Sequence, residues 1–139
     1  FWTFEPYNTI PAPQMQILER QFGSWLTAKY GSLDNAFKTW KQDPDFEPDQ
    51  HGGDQPEAGR AGVLAAGSLF PQPSSRRAQD TAAFLTENQQ QFFEQAIRFL
   101  RQDMKYRGLI YASNWVTADA RILGPLDKYS NTAVSYTHL

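Results

Sequence analysis

The sequence predicts a mostly helical α/β fold, and three observations carry that expectation: two amphipathic segments that meet at Tyr30-Gly31-Ser32, a long amphipathic run from about Arg77 to Tyr106, and a short apolar run directly after it, Leu109 to Ser113. Helical periodicity buries one stripe of a cylinder, whereas a short apolar run bounded by turn residues buries both faces of a strand. The element order is helix, helix, long loop, helix, strand, loop, helix, with a strand end at Phe1 to Phe4. Such alternation builds a parallel sheet, and one clear strand cannot form that sheet alone.

Each element has a local reason. Residues Phe1 to Pro13 alternate aromatic and polar groups and hold three prolines, which favours a strand end or an ordered loop over a helix. From Gln14, Leu18, Phe22, Trp25 and Leu26 share one helical face, with Pro13 in the tolerated first turn. Tyr30-Gly31 ends that helix in a left-handed cap, and Ser32 caps a second one carrying Leu33, Phe37 and Trp40 at i, i+4 and i+7. Both Trp25 and Trp40 are read as core. The stretch 41–75 holds more than half of the prolines and glycines and no lasting periodicity, so it reads as a long functional or mobile connection, with Ala61 to Phe70 apolar enough to pack down. The long helix presents Ala78, Ala82, Leu85, Phe92, Ala96, Phe99, Leu100 and Met104 inward until Arg107-Gly108 closes it. A turn region, Asn114 to Arg121, and a helical piece around Leu126 to Tyr129 follow.

Size and composition narrow the classes. With 139 residues, 40% of them hydrophobic and 14% aromatic, the chain can bury a core of its own. Thirteen basic against fifteen acidic residues, without a basic stripe, argue against a nucleic-acid partner. No run reaches the roughly 18 apolar residues of a membrane span. Cysteine is absent, and the two histidines, His51 and His138, allow neither a His-based triad nor a metal cluster; His51 reads as a solvated loop residue. The chain opens on Phe1, and Val134-Ser135-Tyr136-Thr137-His138-Leu139 resembles a translated sequencing adapter, a transposase mosaic end. Residues 1–133 are therefore expected to be an interior fragment, and 134–139 an adapter-derived tail.

The run Phe22-Gly23-Ser24-Trp25-Leu26-Thr27-Ala28-Lys29-Tyr30-Gly31-Ser32-Leu33-Asp34-Asn35-Ala36-Phe37, completed by Trp40, is similar to a "WL..KYGSLD.L..AW" segment that follows the fourth strand in (β/α)8 glycoside hydrolases of the retaining β-galactosidase and cellulase-like clan. The resemblance implies a partial TIM (β/α)8 barrel of about two βα units, with Gly108 to Trp115 as strand five. It implies a glycosidase using two carboxylates and no cofactor on an oligo- or polysaccharide, and favours a periplasmic or extracellular location. In that clan the acid/base Glu follows an Asn at the end of strand four. No Asn-Glu pair occurs here, Phe4 stands before Glu5, and the nucleophile of strand seven would lie beyond Ala133. Both catalytic Glu residues are thus expected outside the fragment, which alone would be inactive. Glu5 reads as a loop carboxylate, since one carboxylate without a partner about 5 Å away is not a retaining site.

Ligands of α/β folds meet the carboxyl ends of strands, which makes Asn114 and Trp115 the leading substrate-binding candidates, with Trp2 and Asn8 beside them. An indole face stacks on sugar C–H groups and an amide bonds vicinal hydroxyls. Core packing competes for Trp115 and Trp2, turn closure for Asn114, and loop anchoring for Asn8 and Tyr7; Asp119 and Arg121 fit a local ion pair or a helix cap. Two rival functions stay open, a non-catalytic carbohydrate-binding barrel homologue and a helical interaction domain.

Overall fold

A computed structural model describes residues 6–65 and 75–110. They are mostly helical: α1 (Pro6–Thr9), α2 (Ala12–Tyr30), α3 (Leu33–Trp40), a 3₁₀ turn (Pro56–Ala58), α4 (Arg76–Arg98) and a π-helical turn (Phe99–Asp103). Among the described residues the only β pairing is an isolated antiparallel bridge between Gln55 and Arg60. Two compact units divide the chain, residues 1–84 and 85–139.

In the first unit the helix pair forms as its caps dictate. Gly31 takes φ +81° and its amide donates to the Thr27 carbonyl at 2.9 Å, the left-handed stop that a side chain resists. Ser32 is extended, and its Oγ accepts from the Asn35 amide at 3.1 Å. The buried face of α2 runs through Met15, Glu19, Phe22, Gly23 and Leu26, and that of α3 through Leu33, Ala36 and Trp40. Trp25 is half-buried rather than central. Phe22 is the hub of the aromatic core, with ring centroids 4.8 Å from Phe84, 6.0 Å from Trp40 and 6.1 Å from Trp25.

The opening segment is not a strand or loop throughout, because Pro6–Thr9 turns as helix. Proline at a first helical position costs nothing, since its missing N–H would be unpaired there. The hydroxyl of Tyr7 then fixes the turn by accepting from the Val63 amide at 3.1 Å. The connection 41–65 is likewise ordered. It lies against α2 at Gly23, where any Cβ would strike the Gly59 carbonyl oxygen, and the Ala61 amide donates to the Glu19 carbonyl at 3.2 Å. Ala61 to Leu64 are buried, as their apolarity predicts; residues 66–70 lie outside the described residues.

The long helix departs from expectation at both ends. It starts one residue early because Ser75 caps it, its Oγ accepting from the Ala78 amide at 3.1 Å. Its buried side near the start runs through Arg77, Ala78, Asp80, Thr81 and Phe84. Polar groups thus turn the helix away from the stripe that apolar counting gives. In the second unit Phe92, Phe99 and Met104 of that expected stripe are exposed, while Thr86 and Ile97 are buried. The α-helix ends at Arg98, not Tyr106, and widens into the π turn, where the Met104 amide reaches the Phe99 carbonyl at 3.1 Å. Arg101 Nη1 then donates to the carbonyls of Tyr106 and Gly108 at 2.9 and 2.8 Å, closing an irregular turn with Lys105 at φ +53°. Leu109 and Ile110, the described start of the expected strand, form no ladder, and Leu109 is exposed. Residues 111–113 lie outside the described residues. No described helix is long and apolar enough to cross a membrane.

Candidate functional site

Three of the four expected substrate-binding residues, Trp2, Asn114 and Trp115, lie outside the described residues, as do Glu5, Asp119 and Arg121. Asn8 is exposed on α1. Beside it, Tyr7 is half-buried and stacks on His51 with ring centroids 4.2 Å apart and planes 13° from parallel. His51 is therefore exposed but not merely solvated, and helix α1 meets the tip of the connection.

Beneath this stack lies a buried polar network. The Glu19 carboxylate, on the apolar stripe of α2, accepts from Arg60 Nη1 at 2.8 Å and is hydrogen-bonded by the Tyr7 hydroxyl. Arg60 donates its other nitrogen to Gln55 Oε1. Burial first, and then the carboxylates of Asp49 and Glu19, hold the Tyr7 hydroxyl well above its usual range, so it stays protonated. Asp54 clasps Arg77 in a two-pronged pair at 2.7 and 2.8 Å, and also accepts from the amides of Asp49 and Gly62. Arg77 is 1% exposed, donates to the Gly62 carbonyl at 2.8 Å and lies 4.8 Å over the Trp40 ring.

A second buried carboxylate, Asp80, gathers the helix pair. It accepts from Lys29 Nζ at 2.6 Å, the Tyr30 hydroxyl at 2.8 Å and Trp40 Nε1 at 2.7 Å. The Tyr30 hydroxyl is pushed up to about 12 by burial and by that bond to Asp80. Every one of these carboxylates is engaged by fixed donors: Glu19 by Arg60 and Tyr7, Asp54 by Arg77, Asp80 by Lys29, Tyr30 and Trp40. Such groups hold elements together, each bound to donors from a separate stretch of the chain. Among the described residues no cluster of His, Cys, Asp and Glu has metal-ligand geometry.

Sequence reasoning missed Glu19, Asp54, Arg60, Arg77 and Asp80. For Glu19 a signal existed, a charge between Met15 and Phe22 on an apolar stripe, which asks for a buried partner. The identity of that partner, 41 positions away, was not legible. Comparison of the chain with protein-family models, with curated proteins and with solved structures returns no significant match.

Proposed function

We propose that this chain is scaffold from a retaining (β/α)8 glycoside hydrolase acting on an oligo- or polysaccharide. The observation that supports this reading most is the convergence of Lys29, Tyr30 and Trp40 on Asp80. These are the residues that carry the resemblance, and their spacing has a physical purpose: the αL turn at Gly31 sends α3 back so that donors from both helices reach one buried carboxylate. The segment acts as an anchor, which is the role expected of it in the helical layer of a barrel.

In the intact enzyme, one carboxylic acid protonates the glycosidic oxygen while a second carboxylate attacks the anomeric carbon, and water then releases the covalent sugar with retention. Both residues belong outside this chain on the present reading. Trp2, Asn8, Asn114 and Trp115 supply wall and hydroxyl contacts. The test is to express the protein with its flanking sequence and follow aryl β-glucoside, β-galactoside and β-xyloside cleavage together with release from β-linked polysaccharides, reading the first anomer formed by NMR. Retention is expected, with kcat/KM falling about ten-fold or more in Trp115→Ala on the loss of a stacking contact. Inversion, absence of cleavage on every substrate, or unchanged Trp115→Ala kinetics overturns the proposal.

A further inference from the structure

We propose that the knot at residues 98–109 is a docking surface for an anionic lipid membrane, which it touches at the interface. The first ground is how the knot is tied. The Met104 amide donates to the Phe99 carbonyl at 3.1 Å and the Tyr106 amide to the Leu100 carbonyl at 2.9 Å, while Arg101 Nη1 holds the carbonyls of Tyr106 and Gly108. The chain leaving α4 is thereby folded back on itself, and any Cβ at Gly108 would strike the Tyr106 ring. A backbone fixed in advance loses little conformational freedom when a partner arrives.

The second ground is what the knot presents to solvent. Phe99, Met104, Tyr106 and Leu109 are all exposed, Met104 by 63% and Leu109 by 73%. Arg98, Lys105 and Arg107 are exposed beside them, and none of these three cations is in an ion pair among the described residues. Interleaving of this kind serves both layers of a membrane face. Guanidinium and ammonium groups reach lipid phosphates, while thioether, isobutyl and ring groups enter the boundary of the acyl chains.

Charge and apolarity together select the partner. The whole chain carries a net charge of −2, yet Arg98, Arg101, Lys105 and Arg107 stand in this stretch against Asp103 alone. Two copies of a cationic knot repel each other, which disfavours self-pairing through this face. A nucleic acid would use the cations and stack bases on the rings, but gains little from Met104 and Leu109, the two most exposed apolar residues of the knot. An anionic bilayer uses both sets. No described helix is long and apolar enough to cross a membrane, so the contact is interfacial.

The experiment uses the 139-residue chain with methyl-labelled methionine, because its two methionines report opposite places: Met104 on the knot and Met15, 3% exposed, in the core of the first unit. Vesicles of phosphatidylcholine alone are compared with vesicles containing phosphatidylglycerol, by co-sedimentation and with a spin-labelled lipid. Binding should require phosphatidylglycerol, weaken with salt, and broaden the Met104 methyl signal while Met15 stays sharp. Lys105→Gln/Arg107→Gln should weaken it about twenty-fold, at about five-fold for each cation removed. Met104→Ser/Leu109→Ser should weaken it about ten-fold. Asp103→Asn should tighten it, a gain that damage to the fold cannot produce. Melting temperatures should stay unchanged throughout, since every replaced side chain is exposed. Equal binding to both vesicles, binding to neither, or a Met104 signal that stays sharp on bound vesicles overturns the proposal. Heparin or poly(U) bound as tightly by Met104→Ser/Leu109→Ser as by the wild type, with vesicles left unbound, overturns it in favour of a soluble polyanion. No turnover enters these readouts, so they stand or fall apart from the hydrolase reading.

Discussion

The two units of this chain solve burial in opposite ways. In the first, Trp40, Phe22 and Leu26 are wholly enclosed, and three carboxylates are drawn in with them, each matched by donors from a distant stretch of sequence. In the second, Phe92, Phe99, Met104, Tyr106 and Leu109 are all about half exposed or more, and Ile97 is the one hydrophobic residue fully withdrawn among the described residues there. The contrast teaches that polar side chains can decide which face of a helix turns inward. Along α4, Arg77 and Asp80 set the buried side at its start, whereas further on Phe92 stands exposed.

The comparison breaks first at Trp40 if it is wrong. That ring is fully buried, packs against Phe22 and Phe37, carries Arg77 over its face and donates to Asp80. Trp40→Ala should cost about 3–5 kcal/mol, the range for deleting a buried aromatic ring, as read by urea unfolding. A loss below about 1 kcal/mol would mean that the first unit does not depend on this core.

Arg77→Met tests the polar half of the same unit. Methionine keeps much of the volume but leaves Asp54 without its counter-charge and the Gly62 carbonyl without its donor, so a loss of about 3 kcal/mol is expected. The double variant Arg77→Met/Asp54→Asn should recover part of it, because removing both charges is less costly than stranding one. A double variant whose loss equals the sum of the losses in Arg77→Met and in Asp54→Asn would show that the pair is not coupled.

Tyr30 gives the pH dependence its sign. Its hydroxyl pKa is raised from 10.0 to about 12 in the fold, so folding favours the protonated form. The stabilisation is complete below pH 10 and is lost as pH climbs through about 12. The melting-temperature advantage of the wild type over Tyr30→Phe should thus be full at neutral pH and shrink across that window; a constant advantage throughout would detach Tyr30 from Asp80.

Smaller still is the cap. Ser32→Ala removes the acceptor for the Asn35 amide and should cost about 1 kcal/mol. This feature was legible in the sequence, along with the left-handed Gly31 and the core role of Trp40, because each rests on neighbours within a turn or two. The helical turn at Pro6–Thr9 was not: it depends on Tyr7 reaching Val63, 56 positions on. The face of α4 was misjudged for the related reason that its inward residues are charged and their partners, Asp54 for Arg77 and Lys29 with Tyr30 for Asp80, come from separate segments. Of the expected site only Asn8 lies within the described residues, while His51 was undervalued because stacking on Tyr7 is a long-range contact that a loop composition does not announce.

The smallest expected effect belongs to the second unit and tests the contrast from its other side. Phe92 is 64% exposed and meets Phe93 edge-on at 5.5 Å. Phe92→Ser therefore removes little buried area, and the stability change should stay within about 0.5 kcal/mol, the usual size for a surface position. Light scattering should show weaker self-association in the same variant, because an exposed aromatic ring is adhesive. A loss of about 2 kcal/mol or more would mean that this ring is covered when the chain folds in solution, and the second unit would then bury its aromatic residues as the first one does.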